Sequence, residues 1–174
     1  MKLHQIKIEF VAEQDRLLLS VSTDDGKEVL LHLTRRCVKR LWPMLLDMAR
    51  SSPDVAVQSS PEARAALLEF QHEQAVREAD FSQPYREAPR ERPLGSEPIL
   101  ATRVQTRKDA NGNHVLSLLP ARGTGVHMTL DERLLHSFCK LLQNAVTGSE
   151  WDLTLTLPRA PVPESGAGEL RTIN

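Results

Sequence analysis

The chain carries one pattern twice, and that repetition constrains its fold more than any other feature. Residues 29–49 read VLLHLTRRCVKRLWPMLLDMA and residues 125–145 read GVHMTLDERLLHSFCKLLQNA. His32-Leu33-Thr34 aligns with His127-Met128-Thr129. After one inserted residue in the later copy, Val38 matches Leu134, Trp42 matches Phe138, Leu45-Leu46 matches Leu141-Leu142 and Ala49 matches Ala145. Upstream, residues 16–21 (RLLLSV) correspond to residues 114–119 (HVLSLL), preceded by alternating stretches at 3–12 and 99–107. Downstream, Asp54-Val55-Ala56-Val57 matches Asp152-Leu153-Thr154-Leu155. Agreement of strand, cap and helix in one order marks a duplicated unit rather than two similar apolar helices. Each copy reads strand, strand, strand, helix, strand.

Period-two alternation identifies the strands. Ile6, Ile8 and Phe10 share one face, as do Leu17, Leu19 and Val21, then Val29, Leu31 and Leu33, and later Leu153, Leu155 and Leu157. Ala110-Asn111-Gly112-Asn113 predicts a type I′ hairpin turn, because Asn and Gly both tolerate positive φ. Asp24-Asp25-Gly26 marks another turn. At about 100° per residue, Val38, Leu41, Trp42, Leu45, Met48 and Ala49 form one helical stripe; Leu134, Phe138, Leu141, Leu142 and Ala145 form a second. Pro43 lies inside the first helix, removes a backbone donor and predicts a kink. The expected fold class is α+β, with tandem units whose antiparallel sheets are each covered by a helix in a pseudo-twofold arrangement.

This pattern divides the chain into a first repeat over 1–57, a connector over 58–98, a second repeat over 99–157 and a disordered tail over 158–174. Ser60 and Pro61 are a cap and a first helical residue, starting a connector helix over about 61–80. The following QPYREAPRERPLGSEP segment is too rich in proline and charge to form a core, and reads as a flexible or extended linker. Units of about 60 residues bury too little surface to be stable alone. The two copies are therefore expected to pack on each other, or each on a second chain in a homodimer.

Charge and composition narrow the function classes. The 174 residues hold 22 Lys+Arg against 23 Asp+Glu, a formal net charge of −1 that argues against a globally basic nucleic-acid binder and against an acidic tail protein. No apolar run approaches the roughly 18–20 residues of a membrane span, so no membrane is expected as a partner. MKLHQIKIEF alternates and has no secretory apolar core. Cys37 and Cys139 belong to no CxxC pair and read as buried reduced thiols, which places the chain in the cytoplasm.

No catalytic signature is present: no HExxH, no GxSxG, no phosphate loop and no dinucleotide fingerprint. Gly123-Thr124-Gly125 precedes a strand rather than a helix, so it reads as a hairpin turn. His32 and His127 fall on polar strand faces without further ligands at metal spacing, and His72, His114 and His136 read as solvated. No metal or cofactor is expected.

One charge anomaly stands out. Thr34 is a candidate helix cap, and Arg35, Arg36, Lys39 and Arg40 follow it. Cations at a helix N-terminus each cost about 0.3–1 kcal/mol when exposed. The later copy instead reads as a capping box from Thr129 to Glu132. The four cations span an arc of about 140° opposite the apolar stripe. Together with Thr34 they form a candidate anion- or nucleic-acid-binding site. The leading expectation is a non-enzymatic binding or adaptor module acting on an unidentified protein partner through its connector. The alternative is a nucleic-acid-associated protein that contacts phosphates through this helix start.

Overall fold

The structure, a computed structural model, describes residues 3–86 and 90–160. Three strands open the chain: β1 (Leu3–Val11), β2 (Arg16–Thr23) and β3 (Glu28–Thr34). They pair antiparallel, with Ile6 opposite Val21, Ile8 opposite Leu19, Phe10 opposite Leu17, and Leu17 in turn opposite Leu33. This register puts the alternating apolar set of all three strands on one face, because side chains in register share a face. Thr23 and Lys27 close the loop between β2 and β3 through a 3.0 Å backbone bond, and Gly26 takes φ 79 within it. Few residues other than glycine accept that backbone without strain.

Four helices and four further strands follow: α1 (Arg35–Arg50), α2 (Pro53–Ala56), α3 (Pro61–Glu78), β4 (Ile99–Ala101), β5 (Arg103–Lys108), β6 (His114–Leu119), β7 (Val126–Leu130) and α4 (Glu132–Thr147). The protein is α+β, with a four-stranded sheet ordered β1-β2-β3-β4 and a three-stranded sheet ordered β5-β6-β7. Helix α1 packs against β5 as well as β3, α4 packs against β1 as well as β7, and the two helices touch. One apolar cluster results, with Leu31, Leu33, Leu41 and Leu45 joined to Leu116, Met128, Phe138 and Leu142. Each such side chain contributes roughly 1.5–3 kcal/mol by leaving water. No helix among the described residues is long and apolar enough to cross a membrane.

Several expectations are corrected. The stretch 99–107 is two strands, not one. β4 pairs parallel with β3, Thr102 bonds to the Leu119 carbonyl at 2.9 Å, and β5 then starts the second sheet. Residues 54–57 are not a strand: Pro53 sets a helical φ and starts α2, leaving Val57 77% exposed. Residues 152–155 are not a strand either. Their neighbours are helices, and the backbone is bonded by side chains: Gln143 Nε2 to the Leu155 carbonyl at 2.9 Å, and Trp42 Nε1 to the Thr156 carbonyl at 3.1 Å. The Asn-Gly turn is not type I′, since only Gly112 has positive φ; Asp109 Oδ1 instead gathers the Asn111 and Asn113 N–H groups. This is a three-residue loop with its glycine last.

The segment after α3 is docked rather than free. On the sheet's outer face Glu28, 7% exposed, accepts from Tyr85 Oη at 2.7 Å and Arg92 Nε at 2.9 Å, with Arg90 at 3.7 Å. The Glu28 N–H reaches the Glu91 carbonyl at 2.8 Å. Burial alone would raise the Glu28 pKa; the Tyr85 and Arg92 hydrogen bonds outweigh it and hold the carboxyl below its usual value. Linker residues 87–89 and tail residues 161–174 lie outside the described residues.

Candidate functional site

The sequence-predicted site sits where α1 begins. Thr34 is extended, and its Oγ1 accepts the Cys37 N–H at 3.1 Å, as an N-cap requires. Cys37, Val38, Leu41 and Trp42 turn inward, which forces Arg35, Arg36, Lys39 and Arg40 outward. All four are exposed, the first turn holds no acidic residue, and none of the four forms an ion pair among the described residues. Burial pushes the Cys37 thiol up to about 11, with the Arg40 charge acting in the opposite sense.

The start of α4 differs from its expected capping box. Asp131, not Thr129, is the cap, its Oδ1 accepting the Leu134 N–H at 2.7 Å. β7 runs on to Leu130 because Val126, Met128 and Leu130 are all core residues, which leaves Thr129 exposed on a strand. Glu132 is then the first helical residue. Its pKa is raised by burial, then by Asp54 and Asp131. The two helix starts are opposite in charge.

A second cationic feature lies on β5, an edge strand. Arg103, Gln105, Thr106, Arg107 and Lys108 are exposed and Val104 is half-buried. Met44 of α1 shares a cleft of about 530 Å³ with Val104 and Arg107, and Met48 shares one of about 350 Å³ with Thr106 and Lys108. Beyond them Ser51 Oγ meets His114 Nε2 at 3.1 Å. Helix α1 therefore runs in the same direction as β5, with its basic first turn toward the Arg103 end.

A third feature is a cleft of about 550 Å³ between β1 and α4. Ile6, Ile8, Leu134, Phe138 and Leu141 line it, and Phe81 from the connector stands at its side. β1 is the other sheet's edge strand, so its outer backbone groups border this cleft.

The histidines depart from expectation. His72 and His136 are buried, 8% and 1% exposed, and meet Nδ1 to Nδ1 at 3.3 Å between α3 and α4. The pattern was present in the chain, because Leu68, His72 and Ala75 follow helical spacing on the buried side of α3. His32 and His127, which align when the two stretches of sequence are compared, stay in separate sheets: His32 lies opposite Leu18 and Leu100, and His127 Nδ1 bonds Ser117 Oγ at 2.7 Å. Cys37 and Cys139 are buried and unpaired. Among the described residues, no three His, Cys, Asp or Glu side chains are placed to hold a metal ion. Comparison with protein-family models, with curated proteins and with solved structures finds no match to this chain.

Proposed function

We propose that the chain is a non-enzymatic binding module that acts through protein–protein contacts, with the connector supplying contact residues. The observation that carries this reading is the pair of phenylalanines the connector leaves in water. Helix α3 turns Leu68, His72 and Ala75 inward but leaves Phe70 60% exposed, and Phe81 is 43% exposed beside the β1–α4 cleft. Burying the exposed half of such a ring on a partner recovers roughly 1 kcal/mol. In a quantitative pull-down, Phe70→Ser with Phe81→Ser should lose the partner while thermal unfolding stays unchanged. Equal recovery by wild type and double variant removes the connector from the interface.

The same proposal takes the two halves as duplicated units about a pseudo-twofold axis. Support comes from the packing: each antiparallel meander leads into a helix of 16 residues, and each helix packs on the first strand of the other meander. On this reading the cleft between β1 and α4 and the cleft between β5 and α1 are counterparts.

A second reading, contact with nucleic-acid phosphates through Thr34, Arg35, Arg36, Lys39 and Arg40, is favoured by the exposed cations having no ion-pair partner among the described residues. Retention on single- or double-stranded DNA should then fall steeply with salt and vanish in Arg35→Glu/Arg36→Glu/Arg40→Glu. No retention at about 50 mM salt excludes this reading.

A further inference from the structure

We propose that the outer edge of β5 is a docking site for an extended polypeptide segment of alternating acidic and apolar residues, which joins the three-stranded sheet as a fourth strand. The inference rests on the protein-binding reading and places a partner chemistry at a surface separate from the Phe81 cleft.

A strand edge presents N–H and C=O groups at a spacing that another extended backbone matches. Among the described residues nothing pairs with the outer edge of β5, since that sheet ends there. The register then dictates what an added strand would meet. Val104 lies opposite Leu118 and Thr106 opposite Leu116, both fully buried, so these two belong to the face that α1 covers. Arg103, Gln105 and Arg107 lie opposite Leu119, Ser117 and Val115 on the other face. By this register, alternate residues of an incoming strand would meet Val104 and Thr106 on one side and Arg103 and Arg107 on the other. Apolar residues suit the first side and carboxylates the second.

Charge selects among occupants. β5 carries Arg103, Arg107 and Lys108 with no carboxylate between them, and none of the three forms an ion pair among the described residues. Arg103 spends its Nε and Nη2 hydrogens on the Pro120 carbonyl, at 3.3 and 3.1 Å, which fixes its head without neutralising it. A second copy of β5 would bring like charges face to face, which is unfavourable in either strand direction. The adjoining basic turn of α1 adds to the same positive field. Nucleic acid would satisfy that field but not the strand's hydrogen-bonding groups.

The test uses the full-length chain and a labelled peptide of about eight residues in strict Glu-Val alternation. The control is the same peptide N-methylated at alternate residues, which keeps the charge but cannot pair along an edge. The unmodified peptide should bind at about 50 mM salt and slow amide hydrogen exchange in residues 103–108. The N-methylated peptide, and the variant Arg103→Glu/Arg107→Glu, should each weaken binding at least about tenfold, while Phe81→Ser leaves it unchanged. Equal binding of both peptides, protection elsewhere, absence of binding, or binding of an oligo-dT strand alone would each overturn the proposal. Should the peptide fail while recovery that depends on Phe70 and Phe81 persists, only the β5 site falls; loss of both removes the protein-binding reading as well.

Discussion

His72 and His136 face each other inside the α3–α4 contact, and two imidazoles so placed share one hydrogen bond only while at least one ring is neutral. Burial, then the neighbouring His72, pushes His136 down to about 4. Burial, then Lys140, lowers His72, against an opposing pull from Glu73. Glu132 stands one turn before His136, and beside it Arg133 donates to the Glu78 carbonyl at 2.8 Å. Because the folded pKa lies below the unfolded value near 6.5, stability is complete above about pH 6.5 and is lost as pH falls toward about 4. For His136 the loss amounts to about 3 kcal/mol. Urea unfolding at a series of pH values should show this slope, and His136→Phe should flatten it; an undiminished slope in that variant assigns it to another group. The buried helical spacing of His72 was readable in the chain. Its partner was not, because the pairing spans 64 positions and depends on how two helices dock.

Helix α1 starts against its own dipole and α4 starts with it, so the two termini should respond in opposite senses to charge substitution. Arg35→Glu and Arg36→Glu should each stabilise the fold by about 0.5–1 kcal/mol. Asp131→Ala, which removes the bond to the Leu134 N–H, should cost about 1 kcal/mol. Thermal unfolding at low salt measures both; destabilisation by the arginine replacements would mean that their side chains hold contacts the fold depends on. Strand alternation and helical stripes were legible element by element, since each is set by local period. Where the sequence reading failed, tertiary neighbours decided. Leu153, Leu155 and Leu157 alternate like a strand, but helices, not a sheet edge, lie beside them. Residues 99–107 read as one extended stretch, yet Thr102 is where the chain leaves one sheet for the other. The cations of α1 were legible as exposed, whereas the basic edge of β5 becomes meaningful only once its place at the end of the sheet is known.

At the scale of the whole molecule, the two halves depend on each other for cover. Phe10 packs edge-on against Trp151 at 5.9 Å, and Trp151 Nε1 donates to Asp15, so the residues after α4 close over the first hairpin. A fragment ending at residue 98 lacks both α4 and Trp151, and it should show no cooperative unfolding transition until the 99–174 fragment is added. Circular dichroism melts of each fragment and of the mixture check this; a cooperative melt of the first fragment alone would show that it supplies its own core. The helix exchange also has a consequence in time. During synthesis β1 leaves the ribosome well ahead of α4, the helix that packs on it, which follows about 130 residues later. Throughout that interval Ile6, Ile8 and Phe10 lie on an uncovered edge strand. The nascent chain thus has a built-in window of stickiness, and slower translation through the connector codons would lengthen it.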